Sequence, residues 1–173
     1  MLRKALFILA AAGAAAASGA AAAQPAQTVE SAQEFLRITL PGNRYMGGGI
    51  RTMVDNVSAE ARTNVTISGL GTITQYQPAG RCKVLTSYDY SQVRLTARGE
   101  SLPIPNPQHF IGATASFGDM TGVQVIGSVV YLSWKGNTHR SEIYLGSESL
   151  ANRVGFAFEF LRMNCDPAAA TGF

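Results

Sequence analysis

Val123-Gln124-Val125-Ile126-Gly127-Ser128-Val129-Val130-Tyr131-Leu132 is the stretch on which the fold turns. Val123 and Val125 on one side, and Val129 and Tyr131 on the other, flank Gly127-Ser128. Two runs rich in β-branched residues, separated by a two-residue Gly-containing break, predict a tight β-hairpin. Outward toward the C-terminus, Tyr131-Leu132-Ser133-Trp134, Gly136-Asn137 and Ile143-Tyr144-Leu145 predict a second hairpin. Outward toward the N-terminus, Phe110 to Phe117 predicts another strand, closed by a turn at Gly118-Asp119.

The same period of two extends further upstream, and the chain from Tyr45 to about Trp134 reads as β. Gly47-Gly48-Gly49 reads as a bend or bulge leading into an extended stretch from Ile50 to Val57. Val65, Ile67 and Ile73 alternate with polar residues around a Gly69-Leu70-Gly71 break, and Gln77-Pro78-Ala79-Gly80 is a turn. Cys82, Val84 and Thr86 share one side of a strand running to about Tyr90, and Val93 and Leu95 mark the next. Gly99 to Gln108 carries Pro103, Pro105 and Pro107, which cannot donate to a ladder, so it reads as an extended loop.

The two ends follow a different period. Leu150, Val154, Phe158, Leu161 and Cys165 recur at three- and four-residue spacings, the stripe of an amphipathic helix. Ser147 or Ser149 can cap it, and Asp166-Pro167 ends it. Val154, Phe156, Phe158 and Phe160 also alternate as a strand would, but the helical stripe is longer and its bounds are helix bounds. Near the other end, Ser31-Ala32-Gln33-Glu34 matches a capping box for a short helix carrying Phe35 and Leu36, stopped by Pro41-Gly42. The expected fold class is mainly β (α+β). It is an antiparallel β-barrel or sandwich with a short N-terminal helix and a C-terminal capping helix, one globular domain over residues 24–173.

Phe117-Gly118-Asp119, Thr121-Gly122-Val123, Gly127 to Leu132, Glu142-Ile143-Tyr144-Leu145 and a final helix from Ala151 to Leu161 follow one another in order. In these features residues 110–165 resemble the closing part of a pleckstrin-homology-like domain. That resemblance implies a bent antiparallel barrel capped by the C-terminal helix. It transfers no lipid site, because the clustered Lys and Arg of phosphoinositide-binding members are missing from this sequence. The chain also resembles small exported bacterial proteins of unknown function, in Ser31-Ala32-Gln33-Glu34-Phe35-Leu36 and in Phe160-Leu161-Arg162-Met163-Asn164-Cys165-Asp166. This second resemblance implies a compartment and no activity.

The compartment is also legible directly. Arg3-Lys4 form a basic start, Ala5-Leu6-Phe7-Ile8-Leu9 an apolar segment, and Ala21-Ala22-Ala23 a small-residue cleavage site before Gln24. That order describes a secretory signal peptide over residues 1–23, with a periplasmic or secreted mature protein. No later run approaches the roughly 20 apolar residues of a membrane-spanning helix, so no integral membrane segment is expected after cleavage. With Arg3 and Lys4 removed, twelve cations face eleven acids, scattered singly, so the pI of 9.1 gives no reason to expect a nucleic-acid partner. Cys82 and Cys165 are the only two cysteines, and in an oxidising compartment they read as one disulfide.

The chain has no Gly-x-Ser-x-Gly elbow, Walker loop or His-Glu-x-x-His, and Gly47-Gly48-Gly49 lacks the Lys and Ser/Thr of a phosphate loop. No catalytic residue, metal or cofactor is assigned. His109, after the proline loop, and His139, in a predicted turn, read as solvated turn residues. A hydrolase built on either remains the alternative, and Ser116, His109 and Asp119 are one triad that could be drawn. Tyr76, Tyr88, Tyr90, Tyr131, Trp134 and Tyr144 fall in predicted strands or at their ends, and either pack a barrel face or line a ligand pocket. The expected role is an exported, non-catalytic binding or interaction module whose partner is a protein or a small apolar ligand. A carrier of an apolar ligand is the third reading.

Overall fold

Thr28, three residues before the expected cap, starts the first helix. In the computed structural model of the chain, which describes residues 27–102 and 110–167, α1 spans Val29–Thr39. The Thr28 Oγ1 accepts from the Ser31 amide at 3.0 Å, and the Ser31 hydroxyl oxygen accepts from the Thr28 amide at 2.9 Å. The box is therefore Thr28–Ser31, and Glu34 is left to pair with Arg37 at 2.6 Å. The earlier start places Val29, Ala32, Gln33 and Leu36 on one buried stripe. The signal segment, the three prolines of the 103–107 stretch and His109 lie outside the described residues.

The stretch expected to be extended between Ile50 and Val57 is instead a helix, α2, over Gly48–Ala61. Ile50, Val54 and Val57 fall at positions i, i+4 and i+7, which is a helical stripe. Ile50 and Val54 are buried, with Met53 half-buried beside them. The glycines misdirect the reading because their reason is packing rather than bending. A Cβ on Gly47 would stand 2.9 Å from the Tyr90 hydroxyl, and one on Gly48 would stand 2.3 Å from the His139 carbonyl oxygen. Gly47 and Gly48 thus let the helix start hard against two neighbours. Gly48→Ala should cost about 2–3 kcal/mol, because two backbones must separate to admit the methyl group. Gly49→Ala is the control: its Cβ meets nothing within 4 Å, so the gain in helix propensity, about 0.5–1 kcal/mol, should appear. Equal urea midpoints for the two variants would refute the close approach.

Ten strands follow the hydrophobic alternation: β1 Arg44–Met46, β2 Val65–Ser68, β3 Gly71–Pro78, β4 Lys83–Asp89 and β5 Arg94–Ala97 come first. Then come β6 Glu100–Leu102, β7 Phe110–Ser116, β8 Met120–Ile126, β9 Val129–Trp134 and β10 Ser141–Tyr144. They form a seven-stranded sheet in the order β7-β4-β3-β1-β10-β9-β8 and a three-stranded sheet in the order β2-β5-β6, with every pairing antiparallel. The large sheet is not closed into a barrel, since β7 and β8 both end it. Ile126 pairs with Val129, so Gly127-Ser128 forms the expected two-residue turn, and Gly127 takes φ +56°.

The C-terminal helix α3 spans Glu148–Cys165, with the Ser147 hydroxyl accepting from the Leu150 amide at 3.2 Å. Ala151, Val154, Ala157, Phe158, Leu161 and Cys165 are buried, whereas Phe156 is 64 % exposed, so the helical stripe prevails over the alternation. α3 packs on α1, β8 and β9, and α1 also packs on β3. The core lies between these helices and the sheet, around Leu36, Leu40, Ile73, Phe117, Val130, Val154, Phe158 and Leu161. Among the described residues no helix is long and apolar enough to cross a membrane.

Candidate functional site: a tyrosine-walled cavity

Tyr45 on β1 and Tyr88 on β4 stack face to face, with ring centroids 4.3 Å apart and planes 10° apart. Tyr90, just beyond β4, tilts against both at 6.4 and 6.0 Å. The backbone makes room for it, because a Cβ on Gly71 would stand 2.5 Å from the Tyr90 ring. On β3, Tyr76 meets Phe158 of α3 edge-on at 6.3 Å. These rings project from one face of the large sheet because their positions share the strand alternation and register: Ile73 pairs with Tyr88, and Tyr76 with Thr86.

The stacked pair forms the wall between two cavities. One, of about 310 Å3, is lined by Tyr45, Tyr76, Tyr88 and Trp134, with Ile73 and Phe158 among its apolar floor. The second, of about 330 Å3, is lined by Tyr90 and by Ile50 and Met53 of α2. Tyr45, Tyr88, Gly49 and Ala113 border both. Ala113–Ser116 of β7 line the first cavity from one edge of the sheet, and Trp134, Lys135 and Asn137 line it from near the other. Residues of β7, β4, β3, β1, β10 and the end of β9 thus border one hollow. The cavity borders carry Asp119, whose carbonyl oxygen accepts from the Lys135 amide at 2.8 Å.

Inside, most polar groups are paired. The Tyr45 hydroxyl donates to Ser141 Oγ at 3.2 Å, and the same oxygen accepts from the Gly48 amide at 3.2 Å. The Thr86 hydroxyl donates to the Ala113 carbonyl oxygen at 3.2 Å. The Tyr76 hydroxyl is buried and has no hydrogen-bond partner among the described residues. Burial pushes the phenols of Tyr45, Tyr76, Tyr88 and Tyr90 above their ordinary range, because the ionised form would lose its hydration.

Of the six strand aromatics, Tyr76, Tyr88, Tyr90 and Trp134 border these cavities, and Tyr131 and Tyr144 do not. Arg140 lies over the Tyr131 ring at 4.9 Å, and the Tyr144 hydroxyl donates to Glu142, which also binds Arg51 at 2.7 Å. The parity of β9 and β10 explains this: Val130 and Leu132, and Ser141 and Ile143, are the buried members of those strands. Tyr45 is the residue that sequence reasoning missed, because a three-residue strand shows too little alternation to be read. His139 sits in the β9–β10 loop and pairs with Asp55 of α2 at 2.5 Å; it borders neither cavity. Ser116 and Asp119 border the first cavity, while His109, the remaining member of the conceivable triad, lies outside the described residues. Among the described residues no three His, Cys, Asp or Glu side chains gather into a metal site. Cys82 and Cys165 are joined as a disulfide, with Cα atoms 5.5 Å apart.

No protein-family model and no curated protein matches the chain. Among solved structures it is weakly similar to one described as "PH domain from PfAPH", at 7% identity and a TM-score of 0.41, over 81% of this chain and 96% of that one.

Proposed function

We propose that this chain is an exported, non-catalytic binding module, and that its ligand is a small, largely apolar molecule seated in the tyrosine-walled cavity. The observation that carries this reading is the half-open pocket of about 310 Å3 bordered by Tyr45, Tyr76, Tyr88 and Trp134. That volume lies at the lower end of the roughly 300–1,000 Å3 typical of small-molecule sites. An aromatic wall offers large contact area with little rotamer entropy to lose, which suits an apolar guest. The non-catalytic part is supported by His139, whose ring pairs with Asp55 and which lines neither cavity. Export is supported by the residue order of the first 23 positions and by the bonded cysteine pair.

Ala113 borders both cavities, so Ala113→Phe should fill the shared space. N-phenyl-1-naphthylamine, an apolar fluorescent probe, should bind the wild type at one equivalent. Binding should weaken at least tenfold in Ala113→Phe, with the melting temperature retained. Gly49→Leu, at a position where a Cβ meets open space, is a second blocking variant. Equal binding by all three proteins, or none by the wild type, would overturn the cavity as the site. Native mass spectrometry of exported protein should show a chain beginning near Gln24; full-length chain in the membrane would overturn export.

A further inference from the structure

Phe156 is a large apolar side chain of α3 that the core stripe leaves out. It belongs to the alternating run Val154, Phe156, Phe158 and Phe160, yet it is 64 % exposed while Val154 and Phe158 are buried. Beside it a groove of about 400 Å3 opens between α1 and α3, lined by Phe35, Arg153, Phe156 and Ala157, with Ser31 and Asn152 among its polar residues. The Arg153 guanidinium lies over the Phe35 ring, its central carbon 5.0 Å from the centroid. That contact engages the aromatic face and leaves the N–H donors with no hydrogen-bond partner and no acid among the described residues. The sequence explains the isolation. Arg37 pairs with Glu34 and Arg162 with Glu159, each three residues upstream on its own helix. Around Arg153 the helical neighbours are Ser149, Leu150, Phe156 and Ala157, so neither helical spacing offers a carboxylate. The groove lining contains no Asp or Glu either.

We infer that this groove is a second binding site, for a small organic carboxylate with an apolar body. The carboxylate accepts two parallel hydrogen bonds from the unpaired N–H fork of Arg153, a geometry that guanidinium and carboxylate share. The apolar body covers Phe156 and takes its ring out of water. One cation and no acid in the lining suit a monoanion, whereas a phosphate dianion calls for further cations. Ser31, Asn152, Arg153 and Phe156 are all exposed, so the bound carboxylate keeps part of its hydration and escapes the cost of full burial. The same exposure makes the binding modest and sensitive to salt. No residue lines both this groove and either tyrosine-walled cavity, so the two sites are tested separately.

The probes are 1-naphthaleneacetate and its uncharged isostere 1-naphthaleneacetamide, titrated into the full mature chain and followed by the amide NMR shifts of residues 153–157. At low salt the carboxylate should bind about fivefold more tightly than the amide, the factor that an exposed ion pair supplies. Raising NaCl from about 20 mM to about 300 mM should shrink that preference, because the pair is open to screening. Arg153→Gln should erase the preference, and Phe156→Ser should weaken both probes. Both side chains are exposed, so neither substitution disturbs the core. The preference should survive Ala113→Phe, which acts in the other cavities. Equal affinity for the two probes, or a preference that persists in Arg153→Gln, would overturn Arg153 as the anion receptor. No shift at Arg153 or Phe156 with either probe would overturn the groove as a site and leave the tyrosine-walled cavity untouched. Cosedimentation with phosphatidylglycerol vesicles that Arg153→Gln abolishes, with no preference for the free carboxylate, would put a membrane surface in place of the small molecule and overturn the inference.

Discussion

Reducing the disulfide between Cys82 and Cys165 should lower the free energy of unfolding by about 4–5 kcal/mol, a large share of the roughly 5–15 kcal/mol that a domain possesses. The two residues are 83 apart in sequence, so the bridge closes a long loop in the unfolded chain, and loop-closure entropy rises with the logarithm of that length. The Cα separation of 5.5 Å falls within the bonding range of about 4.4–6.8 Å, so bonding requires no backbone movement. The surroundings are tied as well. The Cys82 carbonyl oxygen accepts from the Phe117 amide at 3.0 Å, and a Cβ on Gly118 would stand 2.6 Å from the Cys165 carbonyl oxygen. The bridge thus fastens the last residue of α3 to the entry of β4 and to the turn that follows β7. Urea unfolding of the native chain and of the double variant Cys82→Ala/Cys165→Ala measures the effect without leaving a stray thiol. An unchanged midpoint, or two thiols reacting in native exported protein, would sink the prediction.

The parts of this fold that were legible in the sequence are those where one period dominates a long segment. Alternation from Val123 to Leu132 around Gly127-Ser128 yields the β8–β9 hairpin, because a half-buried antiparallel strand needs that period and that turn. The stripe from Leu150 to Cys165 yields α3 for the matching reason, and it leaves Phe156 outside. The failure at α2 is equally physical. Ile50, Val54 and Val57 already carry a helical stripe, but three glycines ahead of them look like a bend. The contacts that require Gly47 and Gly48 come from Tyr90 and from His139, the latter about ninety residues away, so no local pattern shows them. The cavity was half legible. Tyr76, Tyr88, Tyr90 and Trp134 could be collected as strand aromatics. Separating them from Tyr131 and Tyr144 requires knowing which parity of β9 and β10 faces the helices, and a local period of two cannot choose between its faces.

Alkaline conditions should unfold the protein through its tyrosines, starting near the pH at which a free phenol ionises. The sign follows from the direction of the shifts. Tyr45, Tyr76, Tyr88 and Tyr90 have pKa values raised above the ordinary value of 10.0, chiefly by burial. In the unfolded chain they ionise near that value, while in the folded chain they hold their protons. Above pH 10 the unfolded state therefore binds fewer protons, and stability falls as pH rises. Below it both states are protonated, and these groups leave stability independent of pH. Each fully buried phenol can contribute a slope of at most about 1.4 kcal/mol per pH unit, so four together approach about 5 kcal/mol per unit once the unfolded chain is ionised. Tyr144, pushed up to about 12 mainly by burial and then by Glu142, acts in the same direction with a smaller, solvent-screened share. Urea midpoints between about pH 9 and pH 11.5 should stay level and then drop, and in a Tyr131→Phe/Tyr144→Phe background, which leaves only Tyr45, Tyr76, Tyr88 and Tyr90, tyrosinate absorbance should appear only as the protein unfolds. Tyr76→Phe should flatten the drop by about one phenol's worth, about 1.4 kcal/mol per pH unit. At neutral pH the same variant should be at least as stable as the wild type, since it deletes a buried hydroxyl that has no partner among the described residues. Tyrosinate forming near pH 10 in that double variant while it remains folded would show that the four rings are open to water.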